Sequence, residues 1–315
     1  MSGAVLRIAA LLAGAAVAIL LQSPSRAAGL ECAKPKGPSV KAICADHALR
    51  QQDQDLTAGY DRLAAAASPA GKTLVQRDAQ GRRAYIEERC APSDIACLAA
   101  AYHQAIGSLV KFQAQPAGGI LLPVERFKLG KASLVTAYPR LDSPAELWAD
   151  AFEKAARDAA DALKPDDAQT DTVIGYHATY LAPDLAAVAF SVWTYRHGAE
   201  RGHGYQVAFN YLPAEQRGLR ATDLFESGTT WSGFLAERAF DGLQAQAKAG
   251  NRDLSSGSPG ELEKPIADPA NWLIHPDGLW LYFAPGTVGP DEQEVLVPWA
   301  DLKPYLRATT AFKAP

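Results

Sequence analysis

The one dense ionisable cluster that contains histidine is Arg196-His197-Gly198-Ala199-Glu200-Arg201-Gly202-His203. Two histidines and a glutamate this close could converge on a zinc ion if a loop folded them inward. The helical zinc motif places its histidines on one face, and that spacing is absent here. Gly198 and Gly202 instead read as a chain reversal between two strands. The expectation is a solvated turn with no metal and no cofactor. Arg196, His197, Glu200, Arg201 and His203 are then available to a partner, because loops that join strands commonly carry recognition.

Other chemistry finds little support. Gly71-Lys72-Thr73 imitates the end of a phosphate-binding loop, but Ala66 stands where that pattern needs glycine. No Gly-x-Ser-x-Gly elbow occurs. Asp166-Asp167 and Asp291-Glu292 are adjacent acids, which point in different directions and read as solvated surface. His177 falls in a strand pattern, and His47 and His103 on helices, so structural and surface roles are expected. No catalytic residue is assigned, and the chain is read as a non-enzyme. Trp193, Trp231, Trp272, Trp280 and Trp299 would suit sugar stacking, yet their scatter over strands and helix starts reads mostly as core. Trp280 and Tyr282 alternate with Leu279, Leu281 and Phe283. If their face is open, these two form a second binding patch.

The four cysteines all lie in the first third of the 315 residues. Met1 to Arg7 is a short basic start, Ile8 to Leu21 is apolar, and Pro24 and small residues precede Ala28. This reads as a secretory signal over residues 1–27, cut after Ala27, and places the protein in the periplasm or outside the cell. Thiols exported in this way persist as disulfides. Four cysteines allow three pairings, and a four-cysteine zinc site has inner spacings too long for a zinc ribbon. Cys32 with Cys44 and Cys90 with Cys97 is the favoured pairing, since each closes a short local loop. Removing the signal takes Arg7 and Arg26 and no acid, which leaves 29 basic residues against 35 acidic ones. That balance argues against nucleic acid or an anionic membrane as partner, and the oligomeric state is left open.

Two kinds of periodicity must position these residues. Over residues 38–113 the spacing predicts three helices: Leu49, Leu56, Tyr60 and Leu63 on the first, Leu74, Gly81 and Tyr85 on the second, and Leu98, Tyr102, Ala105, Leu109 and Phe112 on the third. Asp94 is placed to cap the third. A small helical core is marginal, so local crosslinks suit it. Gln115-Pro116-Ala117-Gly118-Gly119 reads as a linker. Beyond it, Leu134 to Tyr138 reads as a strand stopped by Pro139, and residues 144–163 as a helix. Strands follow at 173–181, 186–195 and 205–212, then a helix near 231–246. Residues 249–270 read as a long surface loop. A hairpin is expected around Pro276-Asp277-Gly278, then a strand at 294–298 and a short helix through Leu302, Tyr305 and Leu306. The fold class is α+β: a stapled all-helical domain over 28–115, then an α+β domain over 116–315 with a mainly antiparallel sheet and packed helices.

The first half resembles the LprI-like lysozyme-inhibitor family in Cys32, Ile43-Cys44-Ala45-Asp46, Leu49, Asp53, Leu56, Tyr60, Arg89-Cys90, Cys97-Leu98 and Tyr102. Where that family carries a tryptophan after a glutamine, this chain reads Gln80-Gly81-Arg82-Arg83-Ala84-Tyr85. The second half resembles the extracytoplasmic domain of RsiV-type anti-sigma factors, also found beside some peptidoglycan deacetylases. The matching pieces are Ala137-Tyr138-Pro139, Phe190-Ser191 through Tyr195, Asn210-Tyr211, Leu219 through Phe225, and Gly278 through Phe283 leading to Val297-Pro298. The first resemblance implies inhibition of lysozyme and the second implies binding of it, so a lysozyme-like muramidase is the expected partner; the expected mechanism is a loop that occludes the enzyme's cleft. A peptidoglycan fragment held by exposed aromatics is the alternative expectation.

Overall fold

The computed structural model describes residues 29–109, 120–128, 130–142, 148–250, 257–289, 293–308 and 310. The segment read as a signal, the segment read as a linker, Phe112 and Asp291-Glu292 lie outside them.

The first unit is helical, and its ends obey local chemistry. α1 (Pro38–Ala45) starts with Pro38, whose missing N–H costs nothing in a first turn. α2 (His47–Ala66) is capped by Asp46, whose carboxylate accepts from the Leu49 N–H at 3.0 Å. α3 (Pro69–Arg89) is capped by the Ser68 hydroxyl, which accepts from the Gly71 N–H at 3.1 Å. α4 (Ile95–Leu109) follows Asp94, which accepts from the Cys97 N–H at 2.9 Å, so the expected cap is present. The stripe Leu49, Leu56, Tyr60 and Leu63 is buried against Val75, Ile86, Leu98 and Tyr102. Cys32–Cys44 pins the incoming chain to α1, and Cys90–Cys97 joins the end of α3 to the start of α4. α1 is one helix more than the periodicity suggested, because eight residues carry too little of a stripe to stand out.

The second unit is built on a six-stranded sheet with spatial order β1 to β6. These are β1 (Ile120–Lys128), β2 (Leu134–Asp142), β3 (Thr170–Leu181), β4 (Ala186–Arg196), β5 (His203–Leu212) and β6 (Arg217–Gly218). All neighbours are antiparallel except β2 and β3, which run parallel and are joined by α5 (Ala149–Ala162). β1 was not expected from the sequence, and β2 does not stop at Pro139. The antiparallel register sets Pro123 opposite Pro139, and the β2–β3 ladder ends at Thr136. Neither proline is asked for a donor there, so both are tolerated. Leu122 of β1 also joins the helical core, so the two units pack together directly.

α5 covers one face of the sheet with Phe152, Ala156 and Ala160 against Ile174, Val188, Phe190 and Val192. At one end of the opposite face, Ala187, Ala189 and Ala208 meet a three-stranded antiparallel sheet, β7 (Trp272–His275), β8 (Gly278–Phe283) and β9 (Gln293–Pro298). α6 (Ala221–Leu224), α7 (Trp231–Ala249), α8 (Glu263–Ile266) and α9 (Trp299–Leu302) complete this core. Asn210 ties the two sheets: its amide accepts from the Ile274 N–H at 3.2 Å and donates to the Trp272 carbonyl at 2.5 Å.

Two expectations are corrected here. The segment read as a surface loop contains α8 and two short 3-10 turns, and Leu262 and Ile266 are both buried in the core. Two apolar anchors four residues apart are too few to show as periodicity among Gly, Ser and Pro. The last helix ends at Leu302, and Leu306 instead forms an antiparallel bridge with Phe225.

Candidate functional site

Alternation along β4 sends Phe190 and Val192 into the α5 core and leaves Ser191, Trp193 and Tyr195 on the opposite face. On that face the register aligns Phe127 of β1, Val135 of β2, Val173 of β3, Trp193 and Gly204 of β5. α3 packs over the Phe127 end of this row, with Tyr85 5.0 Å from the Phe127 ring and the Arg82 guanidinium 4.8 Å above it. The β7–β9 sheet covers the far end of β4. Between these covers the face is open. Trp193 is 45% exposed, one of two large apolar side chains so placed among the described residues.

Trp193 starts an aromatic stack that climbs the hairpin. It lies parallel to Tyr195 at 6.2 Å, and Tyr195 is 6.3 Å from the His197 ring. Glycines make room for it. A Cβ on Gly202 would come within 2.6 Å of the Trp193 indole, whereas one on Gly175 would meet nothing within 4 Å. The floor beside the tryptophan is therefore backbone. At the tip, Gly198 has φ +88°, the left-handed conformation that lets the chain reverse.

The tip lies beside two acids, Asp171 of β3 and Asp167 just before it. The His197 Nε2 is 3.3 Å from Asp171, and Arg196 is 3.7 Å from Asp167. Burial alone would push the Asp171 carboxyl up. Hydrogen bonds from the Ser133 N–H and hydroxyl and from His197 outweigh it and hold the carboxyl below its usual range. Asp167 is also held low, first by the Gln169 N–H and then by the Thr170 hydroxyl.

The hairpin thus gathers Arg196, His197, Glu200, Arg201 and His203, all exposed, on one tip. Trp280 and Tyr282 are elsewhere and form no open patch. They alternate on β8 as expected, but β8 is the central strand of the small sheet and packing covers both its faces. Tyr282 is 6% exposed within the core and Trp280 packs half-buried against it. The open aromatic is Trp193, stacked on the half-buried Tyr195, although the scatter of the tryptophans assigns Trp193 to core. The usable signal was local: in Phe190-Ser191-Val192-Trp193-Thr194-Tyr195, the tryptophan shares a parity with Ser191 and not with Phe190 and Val192.

A cavity of about 450 Å³ beside β5 is lined by Asn210, Leu219, Arg220, Ala267 and Asp268. The Asn210 amide there is already engaged with β7. Among the described residues, no three His, Cys, Asp or Glu side chains are placed to hold a metal ion. Asp223 is buried and structural: it accepts two hydrogen bonds from Arg217, at 2.6 and 2.8 Å, and one from the Arg220 N–H.

Comparison with known proteins places part of this unit. Residues 222–300 match the model of DUF3298, a family described as protein of unknown function. The matched stretch runs from α6 to the start of α9. It contains the small sheet and α7, and excludes both the β4–β5 hairpin and the helical unit. No curated protein matches the chain. Among solved structures, a member of the DUF3298 family from Bacteroides fragilis is 14% identical, with a TM-score of 0.44 over 60% of this chain and 92% of that one. A DUF3298 family protein from Pseudomonas aeruginosa is 14% identical, with a TM-score of 0.40 over 62% of this chain and 96% of that one.

Proposed function

We propose that this chain is a non-enzymatic binding protein of the bacterial envelope that captures lysozyme-like muramidases through the β4–β5 hairpin. The observation that carries the reading is the exposed Trp193 stacked on a half-buried Tyr195, in a row of rings that continues to His197 at the charged tip. Tryptophan, tyrosine and arginine are the residues that most often dominate binding energy at protein interfaces. Glu200 supplies an acid for a cationic enzyme, and Arg196 and Arg201 supply donors for backbone carbonyls at the rim of its cleft. Resemblance of both halves to lysozyme-binding families supports the choice of partner. The two disulfides are compatible with an extracytoplasmic location, and no described helix is long and apolar enough to cross a membrane.

The test is retention and inhibition. The mature chain is immobilised, and chicken-type and goose-type lysozymes are passed over it and assayed for lysis. Wild type retains at least one enzyme and slows lysis, and Trp193→Ala weakens retention by roughly tenfold or more. No retention at tens of micromolar enzyme sinks the proposal.

A second reading is favoured by the same stack. An exposed indole beside a glycine floor, stacked on a half-buried tyrosine, suits the apolar face of a sugar, which points to peptidoglycan fragments. Co-sedimentation with purified sacculi separates the two: the glycan reading requires binding without any muramidase present.

A further inference from the structure

The contact between the helical unit and the sheet is made by a group of ionisable side chains that the hairpin does not use. Asp78 of α3 accepts from the Tyr60 hydroxyl at 2.7 Å and from the Glu125 N–H of β1 at 3.2 Å. The Glu125 carboxylate pairs with Arg82, one turn further along α3. Asp78 and Arg82 are 8% and 6% exposed. The charged and titratable groups facing Asp78 are Tyr60 from α2, Arg82 from α3, Glu125 from β1 and the phenol of Tyr176 from β3. Arg82 is thus paired with Glu125 and within electrostatic reach of Asp78, one cation for two largely buried carboxylates.

From this geometry we infer that the α3–β1 junction is a proton-operated latch, closed when the Asp78–Glu125 pair holds one proton and loosened when both carboxylates are charged. With one proton the buried group is neutral overall, since one carboxylate remains for Arg82. When that proton leaves, a net negative charge stays buried with two hydrogen bonds but no cation of its own, and such a charge costs several kcal/mol in a site of this kind. Relief comes from exposing β1 to water, because β1 is the edge strand and has a strand on one side only. Ser68 is bound to Asp142 of β2 through its N–H and hydroxyl, both at 2.6 Å, so the units stay joined at the α2–α3 turn while the α3 contact opens.

The sign follows from the chemistry. Burial first, and then repulsion from Glu125, push the Asp78 carboxyl up to about 7, above the 3.8 of a solvated aspartate. The stabilising contribution is complete below the solvated value and is lost as pH rises through the folded one. The latch closes in mild acid and loosens above neutrality.

Hydrogen exchange on the full mature chain tests this, read at about pH 5.5 and about pH 8.5 and corrected for intrinsic rates. The β1 amides, Glu125 among them, are expected to lose protection by about tenfold or more at the higher pH, while the β4 amides of Val188 and Phe190 keep theirs. Asp78→Asn mimics the protonated carboxyl and is expected to hold β1 protected at both pH values. Glu125→Gln removes the second charge and is expected to do the same. If either variant does not fold, the wild-type ratio of β1 to β4 protection still decides. A ratio unchanged between the two pH values overturns the latch, and so does parallel loss in β1 and β4, which reports global loosening.

Discussion

Asp53 lies in the centre of the helical unit at 5% exposure, and its carboxylate collects three donors. The Arg83 Nε donates at 3.1 Å, the Tyr102 hydroxyl at 3.3 Å and the Leu30 N–H at 3.0 Å. Arg83 is 8% exposed, and the Thr57 hydroxyl is its further neutral partner at 2.5 Å. Replacing Asp53 with alanine takes away the carboxylate bound to the buried Arg83 guanidinium and leaves Glu87 as the other acid acting on it. Removing one member of such a pair costs about 3–5 kcal/mol, mostly from the charge left behind. The two smaller donors add to this, so a loss of about 4 kcal/mol is expected, a large share of the roughly 5–15 kcal/mol that holds a typical domain. Asp53→Leu combined with Arg83→Met removes both charges and keeps volume. This pair is expected to recover most of the loss, to within about 1.5 kcal/mol of wild type. The measurement is urea unfolding of the mature chain followed by far-UV circular dichroism, with the midpoint of the helical transition as readout. A loss under about 1 kcal/mol for Asp53→Ala refutes the reasoning, as does a double variant no better than the single one.

Three further outcomes follow from other contacts. A Cβ on Gly278 would sit 2.3 Å from the Val297 carbonyl oxygen, so Gly278→Ala forces β8 and β9 apart and is expected to cost about 2 kcal/mol or more, read as a lower melting temperature. The disulfides close loops with separations of 12 and 7 residues, and replacing either pair with serine is expected to cost about 2.5–3 kcal/mol, read by denaturant midpoint under non-reducing conditions. Trp193 is 45% exposed, so Trp193→Ala is expected to change stability by less than about 1 kcal/mol, which calorimetry checks and which makes any loss of binding a statement about the surface.

What was legible before any fold was known depended on neighbours in the chain. Capping at Asp94, the Leu49–Leu63 stripe, the two cysteine pairs and the β4–β5 reversal each involve groups within a few turns or one loop of each other. Spacing and side-chain type are therefore sufficient to specify them, and the α+β class follows from their order. The resemblance to the first family singled out Asp53 and Tyr102, and packing supplies the reason: they meet in one buried hydrogen bond 49 residues apart in sequence.

The rest was decided between distant segments. Trp193 and Tyr282 both alternate on strands, and nothing local says which is open. Packing on both faces of the β7–β9 sheet buries Tyr282, and a gap between that sheet and α3 exposes Trp193. Pro139 reads as a strand end until Pro123 is found opposite it with no donor required of either. Asp78 and Glu125 are unremarkable acids 47 residues apart, and only the docking of α3 on β1 sets them, largely buried, within reach of one cation. Sequence specifies which face a residue points to. Long-range packing decides what covers that face, and burial sets both the binding surface and the proton affinity.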